Sequence, residues 1–179
     1  MDSFEGLVRR IVRNLNAAGI DYMFTGALAA SHYGTPRTTM DIDIAVKVAR
    51  EDLQTLIALL RKAEMQVNER RIDEAFDSGF RIITLKDKRT PFTLDVIFSD
   101  KKLEKKRGTI LDLSTFYQTP EGLILSKLRM IKATVPKERA LKDKDDVKAI
   151  LRYTKVNKKA LKRRARREGT LSILEEVQS

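Results

Sequence analysis

Two aspartates one residue apart, Asp41 and Asp43, lie in the run MDIDIAVKV, and a third, Asp95, lies in FTLDVIF. Both surroundings are apolar and β-forming, where an uncompensated carboxylate is costly. Side chains on a strand alternate between faces, so Asp41 and Asp43 project together while Ile42, Ile44 and Val46 point into a core. A rise of roughly 3.3 Å per residue puts their Cα atoms about 6.5–7 Å apart. Like charges at that spacing repel, and a divalent cation relieves the repulsion. Mg²⁺ takes oxygen ligands and is commonly shared between one or two carboxylates and the phosphates of a substrate. With the Asp95 strand beside the Asp41 strand, three carboxylates would hold two Mg²⁺ ions, or Mn²⁺ in their place. One ion would lower the pKa of an attacking hydroxyl and the other stabilise a leaving phosphate. Taken alone, Asp-x-Asp also describes an exposed strand edge with both carboxylates in water.

The upstream stretch TGALAASHYG narrows the choice. Gly26 stands at a strand-to-helix turn, where a missing Cβ lets a phosphate approach and backbone N–H groups favour an anion. Thr25 and Ala27 flank it. The single histidine, His32, is expected at a packing or surface position.

Gly26-Ala27, thirteen residues, and then Asp41-Ile42-Asp43, with Asp95 following, resembles the signature of the polymerase-beta-type nucleotidyltransferase superfamily. More narrowly, GALAASHYGTPRTTMDIDI is similar to the minimal nucleotidyltransferases and the abortive-infection nucleotidyltransferase toxins, in which Arg-x-Thr-x-Asp-x-Asp is matched here by Arg37, Thr39, Asp41 and Asp43. PEGLILSK places Lys127 in a helix, and Arg139, Lys142, Asp143 and Asp146 match a second toxin-type element. The resemblance covers roughly residues 20 to 152. It departs from the pattern at Ala27, where a serine hydroxyl would bind a phosphate oxygen; backbone amides, Thr25 or Ser31 would have to compensate. What the resemblance implies is a Mg²⁺-dependent transfer of a nucleoside monophosphate from an NTP, ATP among the candidates, to a hydroxyl acceptor. Asp41, Asp43 and Asp95 would be catalytic metal ligands. Thr25, Gly26, Ala27, Arg37, Thr39, Lys127, Lys142 and Asp143 would meet the nucleotide. An RNA acceptor such as a tRNA end, a protein hydroxyl (AMPylation) and a cognate antitoxin or toxin partner are the implied partners.

The formal charge of +11 is concentrated rather than spread. Residues 147 to 167 carry ten Lys or Arg and no Asp or Glu, leaving +1 for the rest. Lys158, Lys159, Lys162, Arg163, Arg164, Arg166 and Arg167 therefore form a candidate nucleic-acid contact through phosphates and counterion release. A solvated helix of the kind found in Lys-rich heat-adapted proteins has the same composition. A non-catalytic nucleic-acid-binding or antitoxin-like module that keeps the fold is the competing function. An aminoglycoside-type small-molecule transferase is a third reading, disfavoured by the basic surplus. No cysteine is present, which removes disulfides and thiolate metal sites. No apolar run reaches the length of a membrane span, and MDSFEGLVRR lacks a signal-peptide core, so a cytoplasmic location is expected.

The elements that must position these residues follow from periodicity. Phe4, Leu7, Val8, Ile11, Val12 and Leu15 predict an amphipathic helix over Ser3–Ala18, stopped at Gly19. Asp21–Phe24 and Met40–Val48 predict strands around a helix at ALAASHY, and Glu51–Lys62 a further helix. Phe80–Leu85 and Phe92–Phe98 predict an antiparallel hairpin across KDKRTP. Thr119 as N-cap and Pro120 at the first position open a helix with Leu123, Ile124, Leu128 and Ile131 on one face, and another follows from about Lys137, carrying Leu141, Val147, Ile150 and Leu151. The expected class is α+β: a mixed, partly antiparallel sheet with helices mainly on one face. The expected organisation is a nucleotidyltransferase core over 1–112, a helical segment over 113–154 packed on it, and a basic helical tail over 155–179.

Overall fold

The computed structural model describes residues 3–79 and 81–179. The chain divides into two compact units, one formed by the chain up to Leu28 with Thr38–Gln118, the other by Ala29–Arg37 with Thr119–Ser179.

In the first unit, α1 (Phe4–Ala17) starts where Ser3 accepts a hydrogen bond from the Gly6 N–H at 3.1 Å and stops at Gly19, which takes a left-handed φ of +65°. Its apolar stripe of Leu7, Val8, Ile11, Val12 and Leu15 is fully buried. β1 (Asp21–Phe24) leads directly into α2 (Gly26–Tyr33), within which the unit boundary falls. β2 (Asp41–Lys47), a 3₁₀ turn at Arg50–Asp52, α3 (Leu53–Lys62) and α4 (Glu69–Asp77) come next, then β3 (Ile82–Lys86), β4 (Thr93–Phe98), β5 (Lys105–Ile110) and β6 (Leu113–Gln118). The six strands form one mixed sheet in the order β3-β4-β2-β1-β6-β5, with β2/β4 and β1/β6 parallel and the other pairs antiparallel. α1 packs on α3 and β6. Ile42, Ile44, Val46, Leu94, Val96 and Phe98 lie at alternate positions of the two central strands and are buried. The intervening positions hold the aspartates and, farther along, Ala45 and Ile97, which join Met23 of β1, Phe116 of β6 and Leu103 in a small apolar cluster.

Several expectations need correction. The hairpin between the two predicted β runs forms, but its first strand is Ile82–Lys86, and Phe80 lies outside the described residues. β5 and β6 were not expected, because KKRGTI shows no apolar alternation and its strand is a solvated edge. Their two-residue turn uses Leu111 and Asp112 at φ +50° and +64°, a geometry usually signalled by Asn-Gly or Asp-Gly. The boundary expected at 112/113 would cut this hairpin; β6 belongs with the sheet. α4 was missed because Ile72 is its single buried residue.

In the second unit, α5 (Pro120–Ala133) has the expected Thr119 cap, whose hydroxyl accepts from the Gly122 N–H. A 3₁₀ turn at Lys137–Ala140 leads into α6 (Leu141–Tyr153), where Val147 and Ile150 are buried but Leu141 is exposed. The stretch expected to be a tail folds into α7 (Lys158–Arg167) and α8 (Leu171–Gln178), which bury Leu161, Ala165, Leu174 and Val177 and pack on α5 and α6.

One polar contact stands out in the first unit. The Asp87 carboxylate is fully buried and accepts from the Arg10 guanidinium and the Thr90 hydroxyl, each at 2.7 Å. Removing the cation strands the charge, so Arg10→Ala is expected to lower unfolding free energy by about 3 kcal/mol, read as a shift of the urea midpoint at unchanged slope.

Candidate active site

Parallel pairing of β2 with β4 sets Asp41 beside Thr93 and Asp43 beside Asp95. Registered neighbours in adjacent strands share a face about 4.8 Å apart, so Asp41, Asp43 and Asp95 occupy the same side of the ribbon. Asp41 is exposed, and Asp43 and Asp95 are partly buried. Threonine hydroxyls orient the outer two: Thr93 donates to Asp41 Oδ1 at 2.9 Å, and Thr84 of β3, registered with Asp95, donates to its Oδ1 at 2.6 Å. Among the described residues, no group of three or more His, Cys, Asp or Glu side chains is gathered tightly enough to hold a metal ion. The oxygens therefore share a face without closing on a common point. The donor set is nevertheless all hard oxygen, which fits Mg²⁺ or Mn²⁺ held by one or two carboxylates together with substrate oxygens.

Gly26 opens α2 at φ +57°. A Cβ there would lie 2.1 Å from Asp43 Oδ2 and 2.6 Å from its Cγ. The space left by the missing side chain is thus filled by the Asp43 carboxylate itself, whereas the sequence alone suggested room for a phosphate. The Thr25 N–H donates to the Asp43 carbonyl at 3.0 Å, and its hydroxyl bonds Gln118 Oε1 at 2.6 Å, locking the strand-to-helix turn. Ala27 is buried. Thr39 closes a short turn onto the Asp41 backbone, its hydroxyl accepting from Asp41 N–H at 3.3 Å.

The remaining motif residues assemble in the second unit as an ion network. Arg37 donates through Nε and Nη2 to the two oxygens of Asp146, at 3.1 Å each. Lys127 Nζ lies 2.7 Å from Asp146 Oδ2 and 2.8 Å from Asp143 Oδ1. Lys127 and Asp146 are only 5% and 7% exposed, so a single buried carboxylate is shared by two cations. The sequence assigned Arg37, Lys127 and Asp143 to nucleotide; here they are bonded within the protein. Lys142 is exposed and makes no part of this network. Asp146 lies three residues after Asp143 in the second motif element, a spacing that puts both on one face of a helix and carries the signal in the sequence. Thr84, Thr93 and Gln118 had no signal, since nothing local distinguishes them from ordinary strand residues. His32 is exposed, edge-on to Tyr33 with ring centroids 4.9 Å apart. Burial, aided by the charge of Glu121, pushes the Tyr33 hydroxyl up to about 12, which keeps it protonated near neutral pH. Along α7, Leu161 and Ala165 face inward, while Lys158, Lys159, Lys162, Arg163, Arg166 and Arg167 are exposed and Arg164 is half-buried.

The profile of the family described as the nucleotidyl transferase AbiEii toxin of Type IV toxin–antitoxin systems matches residues 10–176. The chain belongs to this family. It is a nucleotidyltransferase, and its expected α+β class holds. Solved structures share the fold. The antibiotic-resistance factor ANT(2'')-Ia in solution aligns with a TM-score of 0.70 at 15% identity, over 98% of this chain and 97% of that one. An antigenic nucleotidyltransferase-like protein from Paracoccidioides brasiliensis aligns with a TM-score of 0.58 at 15% identity, over 84% and 77%. The lincomycin-bound lincosamide antibiotic adenylyltransferase LnuA gives 0.52 at 14% identity, over 83% and 98%. Among curated proteins, none matches the sequence.

Two variants probe this geometry. Gly26→Ala combines a left-handed φ, worth about 1–2 kcal/mol, with a clash onto Asp43. Adding Asp43→Ala should return the clash portion, a coupling visible in a double-mutant cycle of urea unfolding. Asp146→Ala leaves Lys127 buried with half its counter-charge, and a loss of about 3 kcal/mol is expected in the same measurement.

Proposed function

We propose that the enzyme moves a nucleoside monophosphate from an NTP to a hydroxyl of an RNA acceptor, at the acidic face of β2 and β4. The observation that carries this reading is the register that seats Asp43 beside Asp95, with Asp43 held against the Gly26 turn. Asp41, Asp43 and Asp95 would supply carboxylate oxygens to Mg²⁺, or Mn²⁺ in its place, one or two at a time, with substrate oxygens completing the ligand set. When bound, the cation supplies charge neutralisation for the phosphates. In the transfer, the acceptor oxygen forms a bond to the α-phosphorus, the bond from that phosphorus to the oxygen bridging to the β-phosphate breaks, and pyrophosphate departs with the electron pair. Asp95 takes the proton of the acceptor hydroxyl, and Thr84 keeps its carboxylate oriented for that role. Backbone amides at Gly26 and Ala27, with Thr25 and Thr39 shaping their turns, stand in for the serine hydroxyl that Ala27 lacks.

The motif resemblance keeps Arg37, Lys127, Lys142 and Asp143 as nucleotide contacts. In the protein itself the charges of Arg37 and Lys127 are met by Asp146 and Asp143. RNA is favoured over a protein hydroxyl or a small cationic drug by the exposed basic face of α7 and the net charge of +11. A cognate antitoxin is the protein partner that the family description supplies.

Incubation with each α-³²P-labelled NTP, Mg²⁺ and total RNA or total protein tests donor and acceptor together. Label is expected in RNA, with rates lowered at least about a thousandfold in Asp43→Asn, as befits loss of a charge-stabilising ligand. Label confined to protein, or transfer undiminished in Asp43→Asn, would sink the reading.

A further inference from the structure

A cleft of about 580 Å³ opens among the last three helices. Its walls carry Lys148, Leu151 and Arg152 of α6, Lys158 and Lys162 of α7 and Val177 of α8. Gln178 and Ser179 complete the lining; four of its residues are cations, all exposed, and no Asp or Glu is among the described lining residues. The cations come as two i,i+4 pairs, Lys148 with Arg152 and Lys158 with Lys162. Each pair has Cβ atoms about 5–6 Å apart, comparable with the step between neighbouring phosphates of an extended strand. Their helices are anchored by the buried Val147, Ile150, Leu161, Ala165 and Val177, so the charges are displayed from packed elements. Glu176, on α8, is held by Lys144 at 2.7 Å and so is already matched.

Beside the cleft stands an aromatic platform. Tyr153 is 62% exposed, and the Arg152 guanidinium lies 5.5 Å from its ring centroid. An exposed ring flanked by a cationic groove is the arrangement by which proteins take a single strand: phosphates in the groove and a base on the ring. Cation pairs at phosphate-like spacing next to an exposed ring are the combination that favours a single strand over an acidic peptide or an anionic membrane.

We infer that this cleft binds a single-stranded RNA segment, its phosphates on Lys148, Arg152, Lys158 and Lys162 and one base stacked on Tyr153. The inference rests on the RNA-acceptor reading above and adds Lys148, Arg152 and Tyr153, which the basic run alone did not single out. The cleft is a docking surface for the acceptor strand, separate in role from the carboxylates that transfer the nucleotide.

The test is fluorescence anisotropy of the full chain with a fluorescein-labelled single-stranded RNA of about 12 nucleotides, within the usual site size, across a KCl series. Lys148→Gln/Lys162→Gln should bind at least about tenfold more weakly and flatten the log–log salt slope by about 1.4, two phosphate contacts at roughly 0.7 each. Tyr153→Ala should weaken binding about five- to tenfold, and Tyr153→Phe should restore it. Circular dichroism and thermal unfolding establish that each variant is folded. An unchanged slope in the double charge variant overturns the proposal. So does equal competition by inorganic polyphosphate with no effect of Tyr153→Ala, which leaves only polyanion exchange. The two readings fail separately: RNA labelling with undiminished RNA affinity in the charge variant refutes the cleft alone. Tight, Tyr153-dependent RNA binding with label only in protein refutes the acceptor assignment and upholds the cleft.

Discussion

Side-by-side pairing of two parallel strands is the constraint on which the acidic face of this protein depends. β2 and β4 are central in the sheet, and their inward residues, from Ile42 to Val46 and Leu94 to Phe98, are sealed in the core. A slip of one residue in either strand would turn its whole apolar set outward. Burial of one face therefore fixes which residues meet on the other, and Asp43 faces Asp95 because Ile44 and Val96 must be buried together. Hydrophobic free energy pins the position of carboxylates that would otherwise drift apart.

Gly26 extends this constraint to the turn between β1 and α2. Its left-handed backbone and missing Cβ admit the Asp43 carboxylate, and the Thr25 N–H ties the same residue through its carbonyl. Strand end, helix start and acidic side chain thus form one rigid unit. Thr84 and Thr93 add hydroxyl donors at the outer carboxylates, a modest means of fixing a rotamer without neutralising its charge. A carboxylate bonded to a hydroxyl still attracts a cation, whereas Asp146, bonded to Arg37 and Lys127, has its charge cancelled.

The two ends of the chain thus manage charge in opposite ways. The sheet presents anionic side chains on one face, and the buried network of α5 and α6 balances its charges internally. The excess positive charge is carried on α6 and α7 by residues whose neighbours one turn away are buried. Composition alone cannot separate a solvated basic tail from a folded basic surface. The packing of Leu161 and Ala165 separates them, because it converts a flexible polycation into charges at fixed spacing, including Lys148 and Arg152 on the neighbouring helix.

What the sequence by itself determined were the features that depend on near neighbours in the chain: the helix from Ser3, the strands around Gly26, the capped helix from Thr119, and the shared face of Asp41 and Asp43. Each follows from a period of 3.6 or 2 or from a local cap. Its motif spacing also carried the family. Only the tertiary structure decided that Asp43 fills the space Gly26 leaves, that Arg37 and Lys127 share Asp146, and that KKRGTI is a sheet edge turned through Leu111 and Asp112. These are contacts across 17 to 109 residues or backbone states without a residue signature, and they are set by which faces the core can bury rather than by any local preference.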